Sequence, residues 1–311
     1  MGRQGSGIAN GVNDNMLVYF EDHEKPKILT KDEISNHIRN ICDYGYTLIP
    51  SYLPMLLVEK FKGRLEDIFS VIENDPEYFK KGAPLGLQRL ISQDRIINNL
   101  VAYDKLFVDY STTGDYLHIV DYFLKDKYYG LIPEKDHNFI LAQLNARAAN
   151  VALPFHVDTR MVTEGMSTWS IQSFLSLGNL ERGKGGLRVV PKSHKSGVFP
   201  KDSEIDINTV IDLQTGPGDL VLFSSQLHHG TYGSLPTSSW SILATYRCWW
   251  CKQQFALYEL TAPELYSCLS DNQKLLLGGA SVTPNTINAS ASARTGYANL
   301  WKPKGDYEPS S

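Results

Sequence analysis

Between residues 139 and 246 the chain is a succession of short β-forming runs separated by Gly, Pro and Asn, and this spacing restricts the fold more than any other feature. The runs cover 139–145, 170–177, 186–190, 220–223 and 241–246. Each is rich in Ile, Leu, Val and Phe and too short for a buried helix, so each reads as a strand. Regularly spaced short strands with Gly/Pro turns build an all-β sandwich or barrel.

The preceding stretch has a different period. Residues 1–29 read as a Gly/Asn-rich arm and an edge segment. Thr30-Lys-Asp-Glu33 has the form of a capping box, followed by Ile34, Ile38 and Ile41 at helical spacing, which predicts a helix to about residue 43. A short strand over 46–50 and a helix over 54–69 follow, the latter with Leu57, Phe61, Leu65 and Ile68 on one face. Residues 85–128 read as mainly helical, including 115–124. Thr261-Ala-Pro-Glu264 reads as a second capping box, opening a helix that ends at Gly278-Gly279 before a loop-like tail over 281–311. The expected organisation is one domain over 30–280. It divides into a mostly helical part (30–137), a β core (138–255) and a C-terminal helix (256–280), sharing one hydrophobic mass.

Composition excludes several classes. With 42% hydrophobic and 11% aromatic residues in 311, the chain can bury a full core, so it is neither disordered nor a disulfide-stapled miniature. Thirty Lys and Arg against 34 Asp and Glu leave a net charge of −4, which argues against nucleic acid or an anionic membrane as partner. No apolar run reaches the roughly 18–20 residues of a membrane span. The N-terminus lacks a basic segment followed by an apolar one, so a cytoplasmic location is expected. The start Met1-Gly2-Arg-Gln-Gly-Ser6 has the spacing of a myristoylation site but reads better as a flexible terminus. Of the four cysteines, Cys248 and Cys251 stand in a C-W-W-C spacing within a β-rich run, which fits buried thiols better than a redox motif at a helix start.

Two motifs carry chemistry. In Pro154-Phe-His156-Val-Asp158 an extended backbone places His156 and Asp158 on one side, able to offer an imidazole and a carboxylate to one point. With a second histidine they would form the facial triad of non-haem iron, leaving positions open for co-substrate and oxygen. Gln226-Leu-His228-His229-Gly230, whose His229 lies 73 residues beyond His156, follows the turn Gly216-Pro-Gly-Asp219. Adjacent histidines on a strand face opposite ways, so only one of His228 and His229 can join that point. Taken alone, the H-x-D element also fits an exposed pair with no metal, and the two adjacent histidines also fit strand caps bonded to backbone.

The order and spacing of Phe155-His-Val-Asp158, Leu187-Arg-Val-Val-Pro-Lys-Ser-His-Lys195, Gly216-Pro-Gly-Asp-Leu-Val-Leu-Phe223 and Leu227-His-His-Gly230 resemble the phytanoyl-CoA dioxygenase family. That resemblance implies a double-stranded β-helix, a jelly-roll or cupin-like barrel, wrapped by an α-rich N-terminal half. It also implies Fe(II), with 2-oxoglutarate and O2 as co-substrates, and a small-molecule substrate oxidised at an unactivated C–H bond. Hydroxylation is the expected outcome, and desaturation, cyclisation or epimerisation are further fates. Carried over by position, His156, Asp158 and His229 match the iron ligands, with His228 as the fallback for the third. Gln143, Asn145, Phe174 and Thr231 match positions lining the co-substrate, and His194 belongs to a structural turn. Tyr103, Tyr110, Tyr116, His118 and Arg89 are candidate walls of the substrate pocket. The alternatives are a cupin-like metal-dependent isomerase or hydrolase that does not use O2, and a non-catalytic ligand-binding relative.

One position departs from the family pattern. About ten residues past the distal histidine the family carries an Arg whose fork holds the far carboxylate of 2-oxoglutarate. Here that position is Trp240, which has a single N–H donor and no charge. Arg247 is the expected substitute if a bulge corrects its parity, with Arg188 and Arg160 as other basic candidates.

Overall fold

A computed structural model of the chain describes residues 25–73, 94–125, 137–165, 167–233 and 239–279. The expectations for the N-terminal arm before residue 25, for Arg89 and for the tail over 281–311 lie outside the described residues.

Helix α1 (Lys31–Tyr44) opens on the expected box: the Thr30 side chain accepts from Glu33 N and the Glu33 carboxylate from Thr30 N. It stops at Gly45, which adopts φ +90 and whose N–H closes on Ile41 O. Strand β1 (Tyr46–Ile49) follows, then α2 (Met55–Ile72), whose Leu57, Val58, Phe61, Leu65, Ile68, Phe69 and Ile72 form one buried stripe. Next come β2 (Arg95–Ile97), α3 (Lys105–Thr113) and α4 (Leu117–Leu124). Strand β1 stands where a short strand was expected, and one expectation needs correction: residues 95–97, within the stretch read as mainly helical, are not helical, because they pair with the edge of β3 (Phe139–Ala148).

The remaining strands are β4 (Leu153–His156), β5 (Ser170–Ser176), β6 (Leu187–Val189), β7 (Ile211–Asp212), β8 (Leu220–Ser224), β9 (His229–Thr231) and β10 (Trp240–Cys248). They form two antiparallel sheets, one ordered β1-β8-β5-β10-β3-β2 and one ordered β4-β9-β6-β7. The C-terminal segment is not one helix but three: α5 (Leu257–Leu260), α6 (Pro263–Ser267) and α7 (Asp271–Leu276). Thr261 is spent on Leu257 O behind it, and the capping box is instead Ser270 with Gln273.

The two faces of the large sheet bury different things. Outward, Leu220, Leu222, Ile171, Leu175, Ile242, Ala244 and Tyr246 meet α2, α3 and α4 in the main core. Between the sheets, Phe174, Val221 and Phe223 meet Leu187, Val189 and Leu213 of the small sheet and the segment after it in a second core. Strand β5 is buried along its whole length because it has apolar neighbours on both sides. Among the described residues no helix is long and apolar enough to cross a membrane.

Candidate metal centre

Strands β4 and β9 are neighbours in the small sheet, with His156 directly opposite His229. Their rings lie 4.2 Å apart between centroids. Asp158, two residues past His156, turns its carboxylate to both: Oδ1 is 3.5 Å from His156 Nε2, and Oδ2 is 3.3 Å from His229 Nε2. One donor atom from each of the three residues falls within 4.8 Å of the others.

The other nitrogen of each ring is already engaged. His156 Nδ1 lies 2.9 Å from Pro154 O and His229 Nδ1 2.9 Å from Leu227 O. A carbonyl can only accept, so both Nδ1 atoms donate and both Nε2 atoms present lone pairs towards the carboxylate. Two neutral imidazoles and one carboxylate whose lone pairs converge form a donor set for a divalent metal, with the tautomers set by backbone carbonyls. The residues present therefore fit the iron that the family implies.

Electrostatics agree. When the rings carry a proton on Nε2 in place of a metal, burial works against the charge of Asp158, but the charge and hydrogen bonds of His229 and His156 outweigh it and hold the carboxyl well below its usual range. Burial likewise disfavours the His156 imidazolium, and the hydrogen bond and charge of Asp158 reverse that and raise its pKa. Protons and a cation thus compete for the same lone pairs. The His229 side chain is only 5% exposed, whereas those of Asp158 and His156 are 32% and 35% exposed, so the cluster opens on one side.

The surroundings explain the local motifs. The N–H of Asp158 donates to Ser225 O, and Ser225 Oγ sits 2.6 Å from Ser170 Oγ and accepts from Gln172 Nε2 at 3.2 Å. Thr245 in turn donates to Gln172 Oε1. Phe223 lies against the His229 ring at 4.8 Å between centroids. Gly230 follows the histidine because β4 runs too close for a side chain: a Cβ there would stand 2.7 Å from Leu153 O. The Val190–Lys195 turn holds the segment before β9, with Val190 N donating to His228 O and His228 N to Ser193 Oγ at 2.8 Å.

His228 faces away from the cluster, its Nε2 2.9 Å from Val198 O. His194 packs under the end of α1, 3.3 Å from Cys42 O. Thr231 shares the His229 face of β9, and Phe174 lies in the core between the sheets. On β3, Gln143, Asn145 and Arg147 alternate with the outward Leu144, Ala146 and Ala148. Asn145 Oδ1 accepts from Asn99 N. Of the pocket-wall candidates, Tyr110 and Tyr116 belong to the outer core, bonded to Ser173 and Tyr246, and do not line the space between the sheets.

The basic candidates resolve differently from expectation. Trp240 is not at the site: it faces the helices, packs 5.7 Å from Phe69 and donates its indole N–H to Glu66 at 2.8 Å. The Arg247 guanidinium donates to Lys252 O in the turn after β10. Arg188 stacks on Phe155 and Tyr232, and Arg160 is exposed. Sequence reasoning missed Arg147, whose guanidinium pairs with Asp94 and reaches Thr231 Oγ1, and missed Gln172 and Ser225 beneath the Asp158 loop. The i, i+2, i+4 spacing of Gln143, Asn145 and Arg147 was a usable signal for the first of them.

Two antiparallel sheets carry, at neighbouring strands of the smaller one, a His-Asp-His cluster with the donor set to hold one metal ion. The sequence model of the phytanoyl-CoA dioxygenase (PhyH) family matches residues 41–235, and the chain belongs to that family. Among solved structures it is similar to HygX from Streptomyces hygroscopicus with nickel and 2-oxoglutarate bound (17% identity, TM-score 0.53, covering 73% of this chain and 90% of that one). It is similar also to EctD from S. alaskensis in its apo form (16%, TM-score 0.54, 73% and 84%). A third likeness is to the α-ketoglutarate-dependent epimerase SnoN from nogalamycin biosynthesis (12%, TM-score 0.51, 70% and 82%). No curated protein sequence matches the chain.

Proposed function

We propose that the protein is an Fe(II)- and 2-oxoglutarate-dependent dioxygenase oxidising an unactivated C–H bond of a small-molecule metabolite, within one domain over 30–280 built as a double-stranded β-helix. The observation that carries this reading is the convergence of His156, Asp158 and His229, with both Nδ1 atoms tied to backbone carbonyls. These three residues would hold the metal from one side, leaving the other for a 2-oxo acid and oxygen. When bound, Fe(II) with 2-oxoglutarate and O2 supplies the oxidising power, with succinate and CO2 as co-products.

The chain's own residues hold and shield the centre. The bonds to Pro154 O and Leu227 O fix the two rings, and the Thr245–Gln172–Ser225 series fixes the loop carrying Asp158. Phe223 keeps water from one face of His229. Gln143, Asn145, Phe174 and Thr231 supply the walls on the co-substrate side. Hydroxylation is the favoured outcome.

The test is spectroscopic. Anaerobic addition of 2-oxoglutarate to the Fe(II)-loaded protein should produce a metal-to-ligand absorption band. No spectral change would overturn the co-substrate assignment. His156→Ala should lower iron affinity by on the order of 100-fold or more, and unchanged iron content would remove the triad.

A further inference from the structure

A dicarboxylate bound between the sheets needs a cationic partner, because a buried carboxylate without one is strongly disfavoured. The position on β10 expected to supply it is Trp240, which points to the helices. The neighbouring Ser241 has the opposite parity and pairs in register with Arg147 of β3, its hydroxyl donating to Arg147 O at 3.0 Å. At the level where an inward arginine on β10 would stand, the guanidinium therefore belongs to the adjacent strand.

That guanidinium is held firmly. Its Nε lies 2.7 Å and its Nη2 2.6 Å from Asp94 Oδ2, and Nη2 also donates to Val151 O at 2.7 Å. Asp94 is itself fixed by the N–H groups of Asn150 and Val151, each at 2.7 Å. Nη1 is left, and it reaches Thr231 Oγ1 at 3.1 Å. Thr231 stands two residues past His229 on the same face of β9, so this nitrogen and hydroxyl lie on the metal side of the interior. Of an arginine's five N–H donors, three are taken by Asp94 and Val151 and one by Thr231, which leaves one on Nη1 for a ligand. Arg188 and Arg247 are turned elsewhere.

We propose that Arg147 Nη1, with the Thr231 hydroxyl, anchors the far carboxylate of 2-oxoglutarate, so that the arginine of this subsite comes from β3 and not from β10. The proposal rests on the co-substrate reading above. Asp94 acts as a positioning residue: it aims the fork before any ligand arrives, so little ordering remains to be done on binding.

Calorimetric titration of the Ni(II)-loaded protein tests this without turnover. The probes are 2-oxoglutarate and 2-oxopentanoate, which keeps the 2-oxo acid and lacks the far carboxylate. The wild type should bind 2-oxoglutarate more tightly than 2-oxopentanoate. Arg147→Gln should weaken 2-oxoglutarate roughly 10- to 100-fold, the range of a charged hydrogen bond, and leave 2-oxopentanoate unchanged. Since that variant strands the buried Asp94, Arg147→Gln combined with Asp94→Asn provides a neutral pair, and Thr231→Val a second, near-isosteric probe with a smaller selective loss. A wild type that binds neither acid overturns the oxygenase reading and the anchor with it. A wild type that binds both acids equally, or variants that keep the full preference for 2-oxoglutarate, overturn the anchor alone.

Discussion

The two strand pairs that border the candidate site are built on different terms. In the small sheet, β4 and β9 meet with His156 opposite His229, and every side chain that matters lies within two residues of a recognisable motif. In the large sheet, β3 and β10 meet with Arg147 opposite Ser241, and neither residue stands in a motif. The first pair is governed by local spacing: a strand places i and i+2 on one side, so H-x-D specifies its own geometry. The second is governed by which strand lies beside which, and by which side of the sheet each residue takes. A charge can move from one strand to its neighbour and still occupy the same space, so the demand for a cation constrains the interior and not a sequence position.

The sharpest way to break the comparison is to disturb the close approach of β4 and β9. Gly230→Ala would place a methyl group 2.7 Å from Leu153 O and 3.2 Å from Pro154 O, both backbone atoms that cannot swing aside. The expected cost is roughly 2–3 kcal/mol of stability, seen as a lowered denaturation midpoint. Metal affinity should fall with it, because His156 and Pro154 sit on the displaced strand. A variant with unchanged melting and metal content would show that the two strands have slack. A smaller effect is expected from Ser225→Ala, which removes the partner of Ser170 and Gln172 at the loop carrying Asp158. About 1–2 kcal/mol should be lost, with metal affinity down by roughly tenfold.

The same distinction decides how much could be read in advance. The capping box at Thr30, the apolar stripe of α2 and most strands of the β region were legible because each is a local pattern. The H-x-D and H-G elements were legible for the same reason. Strand β2 was not, since three residues that pair only with the edge of β3 carry no periodicity of their own. Nor was the break-up of the C-terminal segment, where Thr261 and Ser270 both offer hydroxyls at a helix start and the tertiary setting selects the second. The parity argument about Arg247 held, and its premise about Trp240 did not: Trp240 faces outward, so Arg247, of opposite parity, takes the Ser241 side with no bulge needed. There is an irregularity, between Thr245 and Tyr246, but only against β3: the β10 register with β5 continues unbroken, and the skipped residue is Ala142. Its carbonyl is taken by the N–H groups of Gln254 and Phe255. The bulge therefore reverses the parity of β3, putting Leu141 and Leu144 both outward, and leaves Arg247 where a regular strand puts it.

Trp240 supplies the finest test of the comparison, because the family pattern and the structure give it opposite roles. If the residue lay on the co-substrate side, shortening it would alter the binding of 2-oxo acids. In the structure its ring packs edge-to-face on Phe69, the Arg95 guanidinium lies 4.6 Å from both rings, and the indole N–H ends on Glu66. Arg95 also pairs with Glu66, so the tryptophan closes a small surface network between α2, β2 and β10. Trp240→Phe keeps most of the apolar contact and deletes one hydrogen bond to a partly exposed carboxylate. The expected loss is about 1 kcal/mol, read as a small fall in the thermal midpoint, with 2-oxoglutarate affinity unchanged within error. A clear loss of affinity in this variant would place Trp240 in the co-substrate subsite after all. It would also undo the claim that the inward position at this level of β10 is Ser241, on which the placement of Arg147 depends.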